Sequence, residues 1–355
     1  METSNTGAGK FAIEEITSQG RAWNELIPLV TSQAGPIRDL FSQAEEVIFT
    51  GCGSGLNVSI SAAPLFQMQT GLPARAVPAA EIYLFTRSIL RRPEITVAVL
   101  VSRSGKTTEV HQALDFLHGQ GVRSLGITCT EDSPLALKSD LALVLSPVNE
   151  RSVVTTRSLT GSFLAIQLLA AIISGSAKFL DELQRLPQFC EAHMPAFHAL
   201  GQAIGQRTDL TSFAFVANGP LLGLARESQL KIKEMTLLPA DSYPMMDFRH
   251  GPQSNVDERM LVAALFSDSA CQQETQFLSD MQAFGGVCWA ICDKADHDLR
   301  GCADYLLELN SGLSELARGP LYMPAIQYLA YYRSLALGLN PDQPRNLSYW
   351  VNTSR

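Results

Sequence analysis

Charge is scarce in this chain: 17% of its 355 residues are Asp, Glu, Lys or Arg, and the net charge is −8. An acidic surface of that kind lacks the positive field that a nucleic-acid groove or an anionic membrane patch needs, so neither partner is expected. The seven cysteines, at 52, 129, 190, 271, 288, 292 and 302, form no C-x-x-C pair. They read as reduced structural thiols, with Cys288 and Cys292 on a buried strand and its end, which points to the cytoplasm. Residues 1–10 are polar and lack the apolar stretch of a secretory signal, so none is expected. The longest greasy run, 163–173, is too short to span a bilayer and carries Gln167; it reads as a buried helix. No histidine–carboxylate cluster has metal-ligand spacing, so neither a metal nor another cofactor is expected.

What is present is a chain long enough for two ordinary cores, and it contains itself twice. The run Val47-Ile48-Phe49-Thr50-Gly51-Cys52-Gly53-Ser54 has the shape of Phe213-Ala214-Phe215-Val216-Ala217-Asn218-Gly219-Pro220, with Gly53 and Gly219 166 positions apart. Val97-Ala98-Val99-Leu100-Val101-Ser102 is matched 165 positions later by Val262-Ala263-Ala264-Leu265-Phe266-Ser267. The apolar runs 121–127 and 286–291 keep the same step, and Asp140-Leu141 pairs with Asp304-Tyr305 at 164. A helical segment, Ala165-Ile166-Gln167-Leu168-Leu169-Ala170, returns as Ala325-Ile326-Gln327-Tyr328-Leu329-Ala330. Each strand is a short uninterrupted apolar run, as in a parallel sheet covered on both faces, and helical stretches such as 106–118 and 271–284 lie between them. The spacing therefore predicts an α/β fold of two doubly wound parallel-sheet domains related by internal duplication. Their expected bounds are 30–176 and 200–345, with a helical connector over 177–199 and a tail over 346–355.

Open parallel sheets bind ligands beyond the carboxyl ends of their strands. That singles out 51–55, 102–107, 149–156 and 218–220, in a cleft expected between the two halves. Ser102-Arg103-Ser104-Gly105-Lys106-Thr107 follows a strand and opens a helix. Hydroxyls, a glycine and exposed amides at a helix start suit a phosphate. Gly105-Lys106-Thr107 also spells the end of a nucleotide P-loop, but that motif needs a glycine where Leu100 stands, which excludes it. The bland alternative is that Ser and Thr merely cap the helix. Against it, the second half has Ser267-Asp268-Ser269-Ala270 at the matching place, where an acid replaces the glycine-bearing anion loop. The turn Gly51-Cys52-Gly53-Ser54-Gly55 could serve packing as readily as a ligand.

Glu227, Lys231 and Glu234 fall at i, i+4 and i+7 and so share one helix face. Spacing alone reads as a solvated, salt-bridged stripe. Downstream, 239–247 is rich in turn residues and leads into Phe248-Arg249-His250-Gly251-Pro252, which holds a histidine in a defined place. The other histidines, at 111, 118, 193, 198 and 297, read as surface. A glutamate and a histidine beside a sugar phosphate would suit proton transfer between its C1 and C2.

With these segments in view, the chain resembles the sugar isomerase (SIS) domain family in its tandem form, over about residues 40–350. The marks are Gly51-Cys52-Gly53-Ser54, Ser102-x-Ser104-Gly-x-Thr107, Leu230-Lys231-x-Lys233-Glu234, His250-Gly251-Pro252 and Asp342-Gln343-Pro344-Arg345-Asn346-Leu347. It looks most like the isomerase half of glutamine–fructose-6-phosphate aminotransferase and the related phosphosugar isomerases and fructosamine-6-phosphate deglycases. The resemblance implies flavodoxin-like domains and a sugar phosphate substrate. It implies that Ser102, Ser104 and Thr107 bind the phosphate with the Arg103 amide, and that Gly53, Ser54 and Thr155 lie near the sugar. Glu234 matches the proton-transfer base, Lys231 a lysine lining the site, and His250 a ring-opening histidine supplied by a neighbouring subunit, which implies at least a homodimer. Two departures qualify the match. The chain reaches its first strand by residue 47, so no glutaminase activity is expected. Tyr349 also stands where the aminotransferase has its imine-forming lysine, and tyrosine cannot form an imine. The expected activity is amine release from an amino-substituted hexose 6-phosphate; an aldose–ketose isomerase and a non-catalytic sugar-phosphate sensor are the alternatives.

Overall fold

A computed structural model describes residues 7–351. Residues 1–6 of the polar N-terminus and 352–355 of the expected tail lie outside the described residues. The chain opens with α1 (Lys10–Thr17), α2 (Gln19–Thr31) and α3 (Ala34–Phe41). There follow β1 (Glu46–Gly51), α4 (Ser54–Thr70), β2 (Ala74–Pro78), α5 (Ala79–Leu84) and α6 (Thr86–Ile89). Next come β3 (Thr96–Val101), α7 (Thr108–Gly119), β4 (Arg123–Thr128), α8 (Pro134–Lys138) and β5 (Leu141–Val144). Two long helices, α9 (Arg157–Ser174) and α10 (Ala177–Gly205), precede the second series. That series is β6 (Ser212–Ala217), α11 (Leu222–Thr236), β7 (Ala240–Pro244), β8 (Met260–Leu265) and α12 (Cys271–Ala283). It closes with β9 (Val287–Cys292), α13 (His297–Cys302), β10 (Tyr305–Glu308) and α14 (Met323–Ala336).

Two compact units result. One comprises 18–150, 157–188 and the last residues from 348 on; the other comprises the residues up to 17, together with 151–156 and 189–347. The first unit holds a five-stranded sheet in the order β2-β1-β3-β4-β5, and the second a sheet in the order β7-β6-β8-β9-β10. All pairings are parallel. The two orders are the same, so the duplication read from the sequence is a duplication of topology. The central strands β3 and β8 are buried at every position, which is why their sequences are unbroken apolar runs.

The edge strands β2 and β7 were not anticipated. Each has five residues and ends in proline, and partial exposure removes the apolar run that marked the inner strands. Strand β7 in fact occupies the middle of 239–247, the segment that composition reads as turns. The opening helices were not anticipated either. Helix α2 buries Trp23, Leu26 and Val30 completely and packs against α9. By length and composition α9 is the one helix among the described residues that could cross a membrane. However, 83% of that span is buried inside the protein, against α2 and α4, so it is the core helix its sequence predicts.

Candidate active site

The loop after β3 is held by its carbonyls. The Ser102 carbonyl accepts from Gly105 N at 3.0 Å, the Arg103 carbonyl from Cys129 N at 2.9 Å, and the Gly105 carbonyl from Leu135 N at 3.2 Å. The Thr128 hydroxyl adds a second bond to the Arg103 carbonyl at 3.1 Å. With the acceptors turned into the fold, the Ser104 and Thr107 amides meet no hydrogen-bond acceptor among the described residues. Gly105 is required twice over: its φ is +60°, and a Cβ there would lie 2.1 Å from Ser133 Oγ. Ser102 and Ser104 are buried, and the Ser102 hydroxyl lies 3.1 Å from the Thr107 hydroxyl. Thr107 occupies the N-cap of α7, yet its side chain makes no cap hydrogen bond. Capping is therefore not what this hydroxyl does, and the loop's hydroxyls and amides are donors of the kind that can hold an anion.

The turn after β1 is partly a packing device. A Cβ on Gly51 or Gly55 would lie 2.8 or 2.5 Å from the Val101 carbonyl oxygen, so β1 and α4 meet the end of β3 only through glycine. Gly53 is different: no atom crowds its Cβ position, and it sits exposed at φ +54° ahead of Ser54. Its counterpart Gly219 has φ +53°, so the repeat extends to backbone conformation.

In the second unit the three charged residues of α11 form a tight cluster. Lys231 Nζ lies 2.6 Å from Glu234 Oε2 and 3.1 Å from Glu227 Oε1. It also donates to the Thr155 hydroxyl at 3.2 Å. The Lys231 and Glu227 side chains are fully buried and that of Glu234 is 19% exposed, which overturns the reading as a solvated stripe. Burial alone would lower the pKa of the Lys231 ammonium, but the charges of Glu227 and Glu234 and hydrogen bonds to both outweigh it, and the net direction is up. Lys231 is thus fixed as a cation at neutral pH. Glu234 is the more accessible of the two carboxylates that flank it.

Thr155 reaches this cluster because the segment 151–156 is clamped into the second unit. The buried Glu15 of α1 accepts from Arg151 N at 2.6 Å and Ser152 N at 3.2 Å. Val153 N donates to the Asp342 carbonyl at 3.1 Å. The Asp342 carboxylate in turn caps α1 through Phe11 N and Ala12 N, at 3.1 and 2.7 Å. Gln327 Nε2 holds the Thr156 carbonyl at 3.1 Å. Glu15 and Glu227 were both missed as site residues. Glu227 had the right spacing, but nothing local in the sequence marks its burial.

His250 follows a single helical turn, with its amide on the Asp247 carbonyl at 2.9 Å. It is exposed, and no hydrogen bond or ion pair joins its ring to the Lys231 cluster. A hollow of about 460 Å³ lies beside it, lined by Gly251, Gln253, Ser254, Val256 and Phe284. Of the histidines read as surface, only His297 is exposed. His198 packs edge-on to Tyr328, and His193 stacks near Phe197. His118 lies 2.7 Å from the Ser124 hydroxyl. Both His111 ring nitrogens are buried, and burial pushes its pKa down.

The counterpart loop in the second half is filled by the protein itself. The Glu315 carboxylate accepts from Asp268 N at 2.9 Å and Ser269 N at 3.2 Å. Glu274 takes Ser267 N at 2.7 Å, and the almost fully buried Arg318 binds the Asp268 carboxylate at 2.8 Å. Internal carboxylates thus occupy this loop, and the Ser269 amide that Glu315 takes is the counterpart of the Ser104 amide.

Tyr349 lies in the first unit. Its hydroxyl is 3.1 Å from Asn149 Oδ1 and 2.9 Å from the Glu150 carbonyl, and its ring lies under the Arg103 guanidinium. All seven cysteines are free. Among the described residues, no three His, Cys, Asp or Glu side chains gather as a metal-binding group.

Comparison with known proteins places these features in a family. The SIS domain model matches residues 40–172 and 212–336. Glutamine–fructose-6-phosphate aminotransferase (isomerizing) from Methanothermobacter thermautotrophicus is 24% identical over 97% of this chain and 58% of its own length. The enzyme of that name from Gloeobacter violaceus is 28% identical over 96% of this chain, again with 58% of its own length matched. The chain therefore spans about half the length of the curated relatives it matches. Among solved structures, glucosamine-6-phosphate deaminase from Thermotoga maritima is 28% identical, with a TM-score of 0.76 over 96% of this chain and 99% of its own. Tagatose-6-phosphate ketose/aldose isomerase from Escherichia coli shares the fold, with a TM-score of 0.86 at 23% identity over 97% of this chain and 96% of its own.

Proposed function

The chain belongs to the SIS domain family, and from that membership we propose that it acts on an amino-substituted hexose 6-phosphate, moving the C1–C2 proton and releasing the amine. The observation that carries the reading is the α11 cluster, in which Glu234 is partly accessible and braced by a buried ammonium. Ser102, Ser104, Thr107 and the loop amides hold the phosphate; Gly53, Ser54 and Thr155 belong with the sugar. Glu234 takes the proton from one of the two carbons and returns it to the other. That step converts the amine-bearing carbon of the substrate into an imine carbon. Water then adds there, the C–N bond breaks, and the amine leaves with the proton it needs, so no oxidant or reductant is consumed.

The nitrogen comes with the substrate, so the protein needs no imine-forming lysine. Two features support this. Lys231 is held as a cation and is a poor nucleophile, and Tyr349 replaces the lysine expected after Arg345-Asn346-Leu347. The likeness to glucosamine-6-phosphate deaminase favours amine release over a glutamine-fed synthesis, and we propose no glutaminase activity for this chain. His250 assists ring opening and is supplied from a second subunit, which its exposure supports. We read the protein as a cytoplasmic homodimer or higher homo-oligomer, in keeping with seven free thiols.

The test incubates the protein with fructosamine 6-phosphates, glucosamine 6-phosphate and fructose 6-phosphate in deuterated water without glutamine, and follows free amine and C1–C2 deuterium by NMR. Amine release with exchange is expected. Exchange without amine loss would make the protein an aldose–ketose isomerase instead. Binding with neither would make it a sensor.

A further inference from the structure

Residues 349–351 run alongside the loop 102–107, and they engage both of its cations. The Arg103 guanidinium carbon lies 3.9 Å from the centroid of the Tyr349 ring, and Lys106 Nζ lies 5.3 Å from that of Trp350. Thr108 N approaches the Val351 carbonyl at 3.5 Å. Three successive residues of the tail thus meet loop positions 103, 106 and 108 in order.

Arg103 is the most confined of these groups. Its side chain is 9% exposed, and Nη1 lies 3.5 Å from Oε2 of the fully buried Glu150. Nη2 donates to the Tyr349 carbonyl at 3.1 Å, while the ring covers the guanidinium face. The Tyr349 hydroxyl ties the same ring to Asn149 and Glu150 beyond β5. One tyrosine therefore connects the loop after β3 to the chain after β5, with Arg103 between them. An arginine in an anion-binding loop would ordinarily turn its fork onto the anion. Here the fork is already committed to a carboxylate, a carbonyl and an aromatic face, and a cation–π contact shielded from water resists release.

We propose that Tyr349 is a positioning residue of the phosphate site. It locks Arg103 against Glu150, so that the loop presents its hydroxyls and amides, and not the guanidinium, to the phosphate. The inference rests on the reading of 102–107 as the phosphate loop. Its consequence is preorganisation: with the ring removed, Arg103 and the loop must be ordered at the moment of binding.

The experiment titrates fructose 6-phosphate, inorganic phosphate and unphosphorylated fructose into four full-length proteins by NMR. They are the parent, Tyr349→Phe, Tyr349→Ala and the double variant Ser104→Ala/Thr107→Ala. Tyr349→Ala is expected to weaken both phosphate-bearing probes about tenfold and fructose by less than twofold. Tyr349→Phe, which keeps the ring over Arg103, should recover most of that loss. If the double variant binds phosphate as the parent does, the reading of the loop fails and this inference with it. If the double variant is weakened but Tyr349→Ala is not, the loop stands and the role of Tyr349 is refuted. Equal losses for fructose and fructose 6-phosphate, or equal losses in the Phe and Ala variants, would also overturn it.

Discussion

Replacing Lys231 with methionine is the most direct probe of how the α11 cluster is built. Methionine matches the length of lysine but removes the charge, leaving Glu227 fully buried and Glu234 beside it with no cation between them. Removing one partner of a buried ion pair costs about 3–5 kcal/mol, because the remaining charge is left uncompensated. In a two-unit chain the useful readout is the melting temperature of the affected unit. At about 2–4 °C per kcal/mol for a domain of this size, a fall of roughly 6–20 °C is expected. The loss must also depend on pH. In the variant one buried carboxylate is held protonated, so its folded pKa lies above the unfolded value of about 4.3. Such a group destabilises the fold progressively as pH rises between those two values. The deficit against the parent should therefore be larger at pH 8 than at pH 5. Adding Glu227→Gln to the same chain should restore part of it. Differential scanning calorimetry at both pH values decides the matter. A variant that melts within 2 °C of the parent, equally at pH 5 and 8, would refute the argument that Lys231 is a buried, charge-compensating cation.

Three further outcomes follow from the geometry. Ser104→Ala with Thr107→Ala should leave the circular dichroism unchanged but weaken a sugar 6-phosphate by roughly 100- to 10,000-fold, since each bond to a charged group contributes about 1.5–3 kcal/mol; unchanged affinity by calorimetry would place the phosphate elsewhere. His250→Ala should slow a ring-closed substrate more than an open-chain analogue, measured as kcat/KM for each; equal losses would argue against ring opening. The Cys52 thiol is pushed up to about 11, first by burial and then by the Glu109 carboxylate. At pH 7 roughly one in ten thousand of these thiols is ionised, so iodoacetamide should label Cys52 more than 100-fold more slowly than free cysteine. Labelling at the free rate would show an environment unlike the one described.

How much of this could be read from sequence depended on how local the cause was. The inner strands were legible because both faces of β3 and β8 are covered, which forces apolar residues at every position. Strands β2 and β7 were hidden because an edge position lifts that demand, and Pro244 made β7 look like a turn. The shared face of Glu227, Lys231 and Glu234 was visible in their spacing, but their burial was not. What covers Lys231 includes Thr155, and the segment bearing Thr155 is held by Glu15, 136 residues away in sequence from Arg151. Nothing near Lys231 in the chain announces that contact. The loop 102–107 was legible as hydroxyls and glycine at a strand–helix junction. That Thr107 does not cap α7, and that the Arg103 and Gly105 carbonyls are tied to Cys129 and Leu135, only the fold shows. The duplicate loop shows the same limit: Asp268 marked it as altered, while its closure by Glu315 depends on a residue 47 positions on.

The central claim is that Glu234 carries the C1–C2 proton. The measurement that tests it compares the parent protein and Glu234→Gln for deuterium uptake into glucosamine 6-phosphate and fructose 6-phosphate in deuterated water, alongside the affinity of each protein for both sugars. The account predicts exchange by the parent, none above background by the variant, and affinities within a few-fold of each other, because only the proton acceptor is lost. Exchange by Glu234→Gln at near the parental rate would contradict it.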